Sequence, residues 1–81
     1  MLLNAVIEKD EQGYFAYIPN LKGCVSQGDT YEEALVNIKE AADLYLENLK
    51  KDEIILLEAK NTIIAPIEVL LHGWKTTETY C

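Results

Sequence analysis

A chain of 81 residues that is 49% apolar makes one small globular domain and excludes wholesale disorder. Such a domain buries only about 60–65% of its unfolded surface, so assembly into a homodimer or higher oligomer is an expected supplement to its stability. Fourteen Asp and Glu stand against seven basic residues, all of them lysine, for a net charge of −7. Without clustered positive charge there is no basis for direct nucleic-acid binding, and an acidic surface suits a basic partner.

In chain order, residues 2–8 come first. Leu3, Ala5 and Ile7 alternate with Asn4 and Glu8, the period of a half-buried strand. The polar stretch 10–13 ends in Gly13 and predicts a tight hairpin turn. Residues 14–18, rich in aromatics, predict the returning strand. Pro19 cannot donate to a ladder and ends that strand. Gly23 permits another turn, and residues 24–27 predict a short third strand.

Thr30 followed three residues later by Glu33 is a capping-box spacing and opens a helix. Glu32 and Glu33 suit the positive end of its dipole. Tyr31, Ala34, Leu35, Ile38, Ala41, Ala42, Tyr45, Leu46 and Leu49 form one apolar stripe. Glu32, Glu40, Asp43 and Glu47 lie off it, as do Val36 and Leu44. The Lys50-Lys51 pair reads as a complement to the negative end of this helix.

Residues 52–61 fit either a further helical piece or a loop, since their apolar positions follow neither period. Residues 62–71 are rich in Ile and Val and predict a last strand, which Pro66 restricts to an edge, a bend or the strand start. Residues 73–81 form a short polar tail, so the domain is expected over residues 1–72.

This order is strand, strand, strand, helix, strand. It predicts an α+β two-layer sandwich with one long helix on one sheet face. A right-handed crossover then places the last strand parallel beside the first, in sheet order 3-2-1-4.

The run from Pro19 to Ala41 resembles the HicB antitoxin family of HicA–HicB toxin–antitoxin pairs. The features that carry the resemblance are Gly13-Tyr14, Pro19 with Leu21, Gly23-Cys24, Gly28-Asp29-Thr30, and Glu33-Ala34 with Asn37, Glu40 and Ala41. The resemblance covers residues 2–50. It implies a shortened ribonuclease-H-like fold and a non-catalytic protein whose partner is a small basic HicA-type RNA-cleaving toxin, while two unpaired cysteines and no signal peptide make a cytoplasmic location the expectation. Many family members carry a C-terminal DNA-binding segment, and the residues after Leu71 are too few for one.

The residues themselves carry little chemistry. A two-metal nuclease site needs several converging carboxylates. Glu8, Glu40 or Asp43, and Glu68 are candidates, yet in so acidic a chain solvated charge is the preferred reading. His72 has no nucleophile near it in sequence. Cys24, in a turn without basic neighbours beyond Lys22, reads as a small core residue. Cys24 and Cys81 make neither a disulfide framework nor a metal-ligand spacing and read as reduced thiols. No signal peptide is evident, and no apolar run approaches the ~20 residues that span a bilayer. Tyr14, Phe15 and Tyr17 read as packing or interface residues rather than base-stacking platforms.

No catalytic, cofactor or metal site is therefore expected. Pro19, Gly23, Cys24, Gly28, Thr30 and Glu33 are architectural. The acidic residues Glu32, Glu40, Asp43 and Glu47 are the expected partner-binding surface, together with a sheet edge. Two rival readings are an orphan homo-oligomeric scaffold of the same fold and a vestigial metal-dependent nuclease.

Overall fold

The computed structural model describes residues 1–71. It is an α+β fold in which a three-stranded antiparallel sheet carries a helix on one face and a second, short helix follows. The strands are β1 (Val6–Asp10), β2 (Gly13–Tyr17) and β3 (Val25–Gly28), in the order β1-β2-β3. The helices are α1 (Tyr31–Glu47) and α2 (Lys51–Ala59).

The β1–β2 hairpin closes at the pair Asp10↔Gly13, one side of a two-residue loop. The Asp10 carboxylate accepts a 2.8 Å hydrogen bond from the Gln12 N–H, an Asx-type turn that fixes the register. Ile7 therefore faces Ala16 and Glu8 faces Phe15. Both β1 and β2 sit somewhat off the expected positions, because the turn chemistry rather than the apolar alternation places their ends.

Between β2 and β3 the chain makes two successive turns. Leu21 N–H donates to Ile18 C=O at 3.0 Å, and Cys24 N–H donates to Leu21 C=O at 2.9 Å. Pro19 takes the second position of the first turn, which its fixed φ suits. Gly23 takes the third position of the second turn with φ +82°, a left-handed conformation that favours glycine. Leu21, at the junction, is 2% exposed and plugs the end of the core.

Thr30 caps α1 by accepting a 3.1 Å hydrogen bond from the Glu33 N–H. The Glu33 carboxylate reaches back to the Asp29 N–H at 3.3 Å. The expected box is thus present with its return bond one residue earlier. Ala34, Ile38 and Ala42 are the buried residues of α1 and meet Ala16, Ile18, Leu21 and Cys24 in one core. Tyr45, Leu46 and Ala41 pack at its margin. α1 ends at Asn48, whose side-chain amide donates to Leu44 C=O at 2.9 Å.

Three expectations are corrected. The long helix is not single: residues 51–59 form α2, opened where the Glu53 carboxylate accepts a 3.0 Å bond from the Lys50 N–H. Lys50 and Lys51 consequently begin α2 rather than complement the end of α1, and the last turn of α1 has no basic residue. The last strand does not form within residues 62–71. Thr62 is tied back instead, its carbonyl accepting from the Asn4 amide at 3.2 Å and its hydroxyl bonding Asn20. Beyond it the chain runs clear of the sheet, with Ile63 80% and Ile67 83% exposed. A strand needs a ladder partner, Pro66 lacks a donor, and β1 therefore keeps one unpaired edge. Order 3-2-1-4 is reduced to the three-stranded meander. The expected tail lies outside the described residues.

Gly28 is where the sheet and helix meet most closely. A Cβ placed there would lie 2.5 Å from the Ala34 nitrogen and 2.9 Å from the Glu33 carbonyl carbon. Both are backbone atoms of the helix's first turn and cannot swing aside. Gly28→Ala is expected to destabilise the protein by about 1–3 kcal/mol through overpacking, and Ile38→Ala by about 2–5 kcal/mol through the cavity it leaves. Urea unfolding followed by circular dichroism measures both.

Candidate functional site

The four acidic residues expected to meet a partner lie on the solvent face of α1, and all four side chains are exposed. Helical spacing places Glu32, Glu40, Asp43 and Glu47 in one stripe running roughly 22 Å along the helix. Lys39 pairs with Asp43 at 3.3 Å, the one ion pair among the described residues. Both partners are well exposed, so the pair adds little stability. Val36 and Leu44, 56% and 61% exposed, sit within and beside this stripe. The combination of carboxylates with isolated aliphatics can accept lysine or arginine side chains and cover their alkyl stems.

The sheet offers a second surface. Strand alternation sends Ala16 and Tyr14 towards α1 and Phe15 and Tyr17 the other way. On that outer face Tyr17 lies between Val6 and Val25, and Phe15 lies between Glu8 and Gln27. The Phe15 and Tyr17 rings are 6.0 Å apart and tilted. Phe15 is 40% and Val25 52% exposed. The aromatic trio of the sequence thus splits between core and surface. The sequence reading of packing or interface left open which ring does which, although the parity of residues 14–17 carried the signal: one helix covers only one side of a sheet.

A polar cleft of about 570 Å³ lies at the hairpin end, lined by Asp10, Asp29 and Glu33 among others. Two of these three carboxylates, those of Asp10 and Glu33, serve the fold. Asp10 holds the hairpin turn, Glu33 holds the Asp29 N–H, and the Asn37 amide donates to Gln27 C=O at 2.8 Å.

No three of His, Cys, Asp and Glu gather into a metal-holding group among the described residues. Glu8 points into solvent from β1, whereas Glu68 belongs to the segment that does not pair beside it. His72 and Cys81 lie outside the described residues. Cys24 is buried, as a core residue should be, and burial pushes its thiol pKa up from the ordinary value. No helix among the described residues is long and apolar enough to cross a membrane.

Comparison with known proteins places the chain. The family described as HicB-like antitoxin of bacterial toxin–antitoxin systems matches residues 3–71. The chain belongs to the HicB-like antitoxin family. Relatives include a UPF0150 protein of Helicobacter pylori, 68% identical over 69 residues that cover 85% of this chain and 96% of the relative. A UPF0150 protein of Synechocystis is 43% identical over 67 residues, covering 82% of this chain and 84% of the relative. Another, from Thermoplasma acidophilum, is 52% identical over 52 residues, covering 63% and 75%. No solved structure matches the chain significantly.

The residues of the motif run are architectural in the structure. Pro19, Gly23, Gly28, Thr30 and Glu33 turn and cap the chain, and Cys24 fills the core. The raised Cys24 pKa gives a test. The folded protein holds the thiol proton longer than the unfolded chain, so this contribution to stability is full below the usual thiol pKa and falls as pH climbs through it. At pH 8, Cys24 should alkylate at least about tenfold more slowly in the native protein than in urea, as read by mass spectrometry of the Cys24 peptide.

Proposed function

We propose that this protein is the antitoxin of a toxin–antitoxin pair and that it binds and covers a small basic HicA-type RNA-cleaving toxin in the cytoplasm. The family match over residues 3–71 carries the reading. The exposed carboxylate stripe on α1 supports the sign of the partner's charge, because cations on the toxin would be attracted along its length. The outer sheet face, with Phe15, Tyr17 and Val25, supplies the kind of aromatic and aliphatic anchors that dominate binding energy. In this reading the protein neutralises by occlusion and performs no catalysis. Contacts to nucleic acid would belong to the toxin.

The orphan reading, a homo-oligomeric module without a toxin, is favoured by one observation: the unpaired β1 edge beside an exposed apolar segment. Self-association and toxin binding are compatible in one molecule; the presence or absence of a toxin gene beside this one separates the two readings.

Co-expression with the short basic reading frame adjacent to the gene should give a co-purifying complex and rescue growth. Glu40→Lys combined with Glu47→Lys should weaken that complex by about 10–100-fold. The loss should come with a reduced salt dependence of the association rate and an unchanged circular dichroism spectrum. Absence of any complex and of any growth rescue would overturn the proposal.

A further inference from the structure

The described chain carries both halves of an apolar joint that it does not close on itself. The first half is the segment after Thr62. Its period-two face, Ile63, Ala65, Ile67, Val69 and Leu71, bears no polar side chain. The four large residues on it are 80%, 83%, 70% and 94% exposed. The opposite parity carries Pro66 and Glu68, with Ile64 and Leu70.

The second half is an apolar groove of about 600 Å³ between the chain before β1 and the side of α1. Leu2, Leu3 and Ala5 form one wall, Leu35, Ala42 and Leu46 form the other, and Ile18 and Ile38 lie at its base. Its Leu3 and Ala5 lead directly into β1, which has no strand on its outer edge.

We propose that residues 63–71 of one protomer fill this groove in a second copy, lying along its β1 edge, and that the exchange is reciprocal. The occupant is a second copy rather than the same chain for a geometric reason. The hydrogen bonds from Asn4 and to Asn20 pin Thr62 at the foot of its own sheet, and the residues that follow run away from it into solvent. A basic toxin matches this joint poorly, since the groove is lined mainly by aliphatic side chains.

The dimensions agree. Nine extended residues reach roughly 30 Å, enough to follow α1 from Leu35 to Leu46. At roughly 60–120 Å² per buried aliphatic side chain, the four large residues of the apolar face bury about 250–500 Å² per arm. Counting the surface that each arm covers, and both arms of a two-fold pair, gives roughly 1,000–2,000 Å². Stable interfaces bury about 1,200–2,000 Å². Pairing through the odd-numbered residues leaves the nitrogen of Pro66, which cannot donate, on the side away from the ladder.

Light scattering of the full chain should give twice its 9.2 kDa mass. Ile67→Asp with Val69→Asp should raise the dimer dissociation constant at least about a hundredfold. The far-ultraviolet spectrum should change little, because these side chains do not enter the core of their own protomer. Val36→Lys, on the exposed rim of the groove, should weaken the dimer from the other side. In a dimer of isotope-labelled and unlabelled chains, filtered Overhauser contacts should join the Ile67 and Val69 methyls to Leu35 and Ala42 across the two chains. A monomeric wild-type protein, a dimer indifferent to the arm substitutions, or arm-to-groove contacts found only within one chain would each overturn the proposal.

Discussion

The approach of β3 to the first turn of α1 is the constraint on which the remaining structure depends. At Gly28 there is no room for even one carbon between strand and helix backbone. That proximity puts Ala34 and Ala16 together at 0% exposure and lets Ile38 reach the floor of the core. The core is consequently thin and rich in small side chains. A bulkier sheet–helix spacer would hold the layers apart and leave voids that alanines cannot fill. Thr30 and Glu33 then set where the helix begins, and the helix axis fixes which residues look outward.

From this arrangement the exposed surfaces follow by subtraction. One helix covers one face of a three-stranded sheet, so the face bearing Phe15 and Tyr17 stays open. The helix itself has a solvent side, and the sequence loads it with carboxylates. The outer edge of β1 has no strand beside it, and the aliphatic groove along α1 is left unfilled. The polar cleft at the hairpin end holds carboxylates that fix the chain's own turns.

The sequence was most legible where chemistry is local. Thr30 with Glu33, Pro19 and Gly23 each announce a cap or a turn because the side chain or the missing atom acts on its own backbone, and each caps or turns the chain there, with the Glu33 return bond moved to the Asp29 N–H. The position of the acidic residues on the outer face of α1 was readable from helical spacing alone. What was not readable was long-range. Residues 62–71 have the composition of a strand, but a strand also requires a neighbour, and composition does not say whether that neighbour is available. Lys50 and Lys51 could equally end one helix or begin the next, and the reach of Glu53 back to the Lys50 N–H decided it. The split of the aromatic trio followed from alternation, yet needed the knowledge of which face the helix takes.

The end of α1 holds a further consequence. Glu47 occupies the final turn with no basic residue near it in that turn, so a negative charge sits at the negative pole of the helix. With Glu40 and Asp43 upstream, the free protein carries an electrostatic mismatch at a helix end that the Asn48 backbone and side-chain amides close. A partner cation placed there would offset that mismatch, so covering the acidic face would also stabilise the helix that carries it.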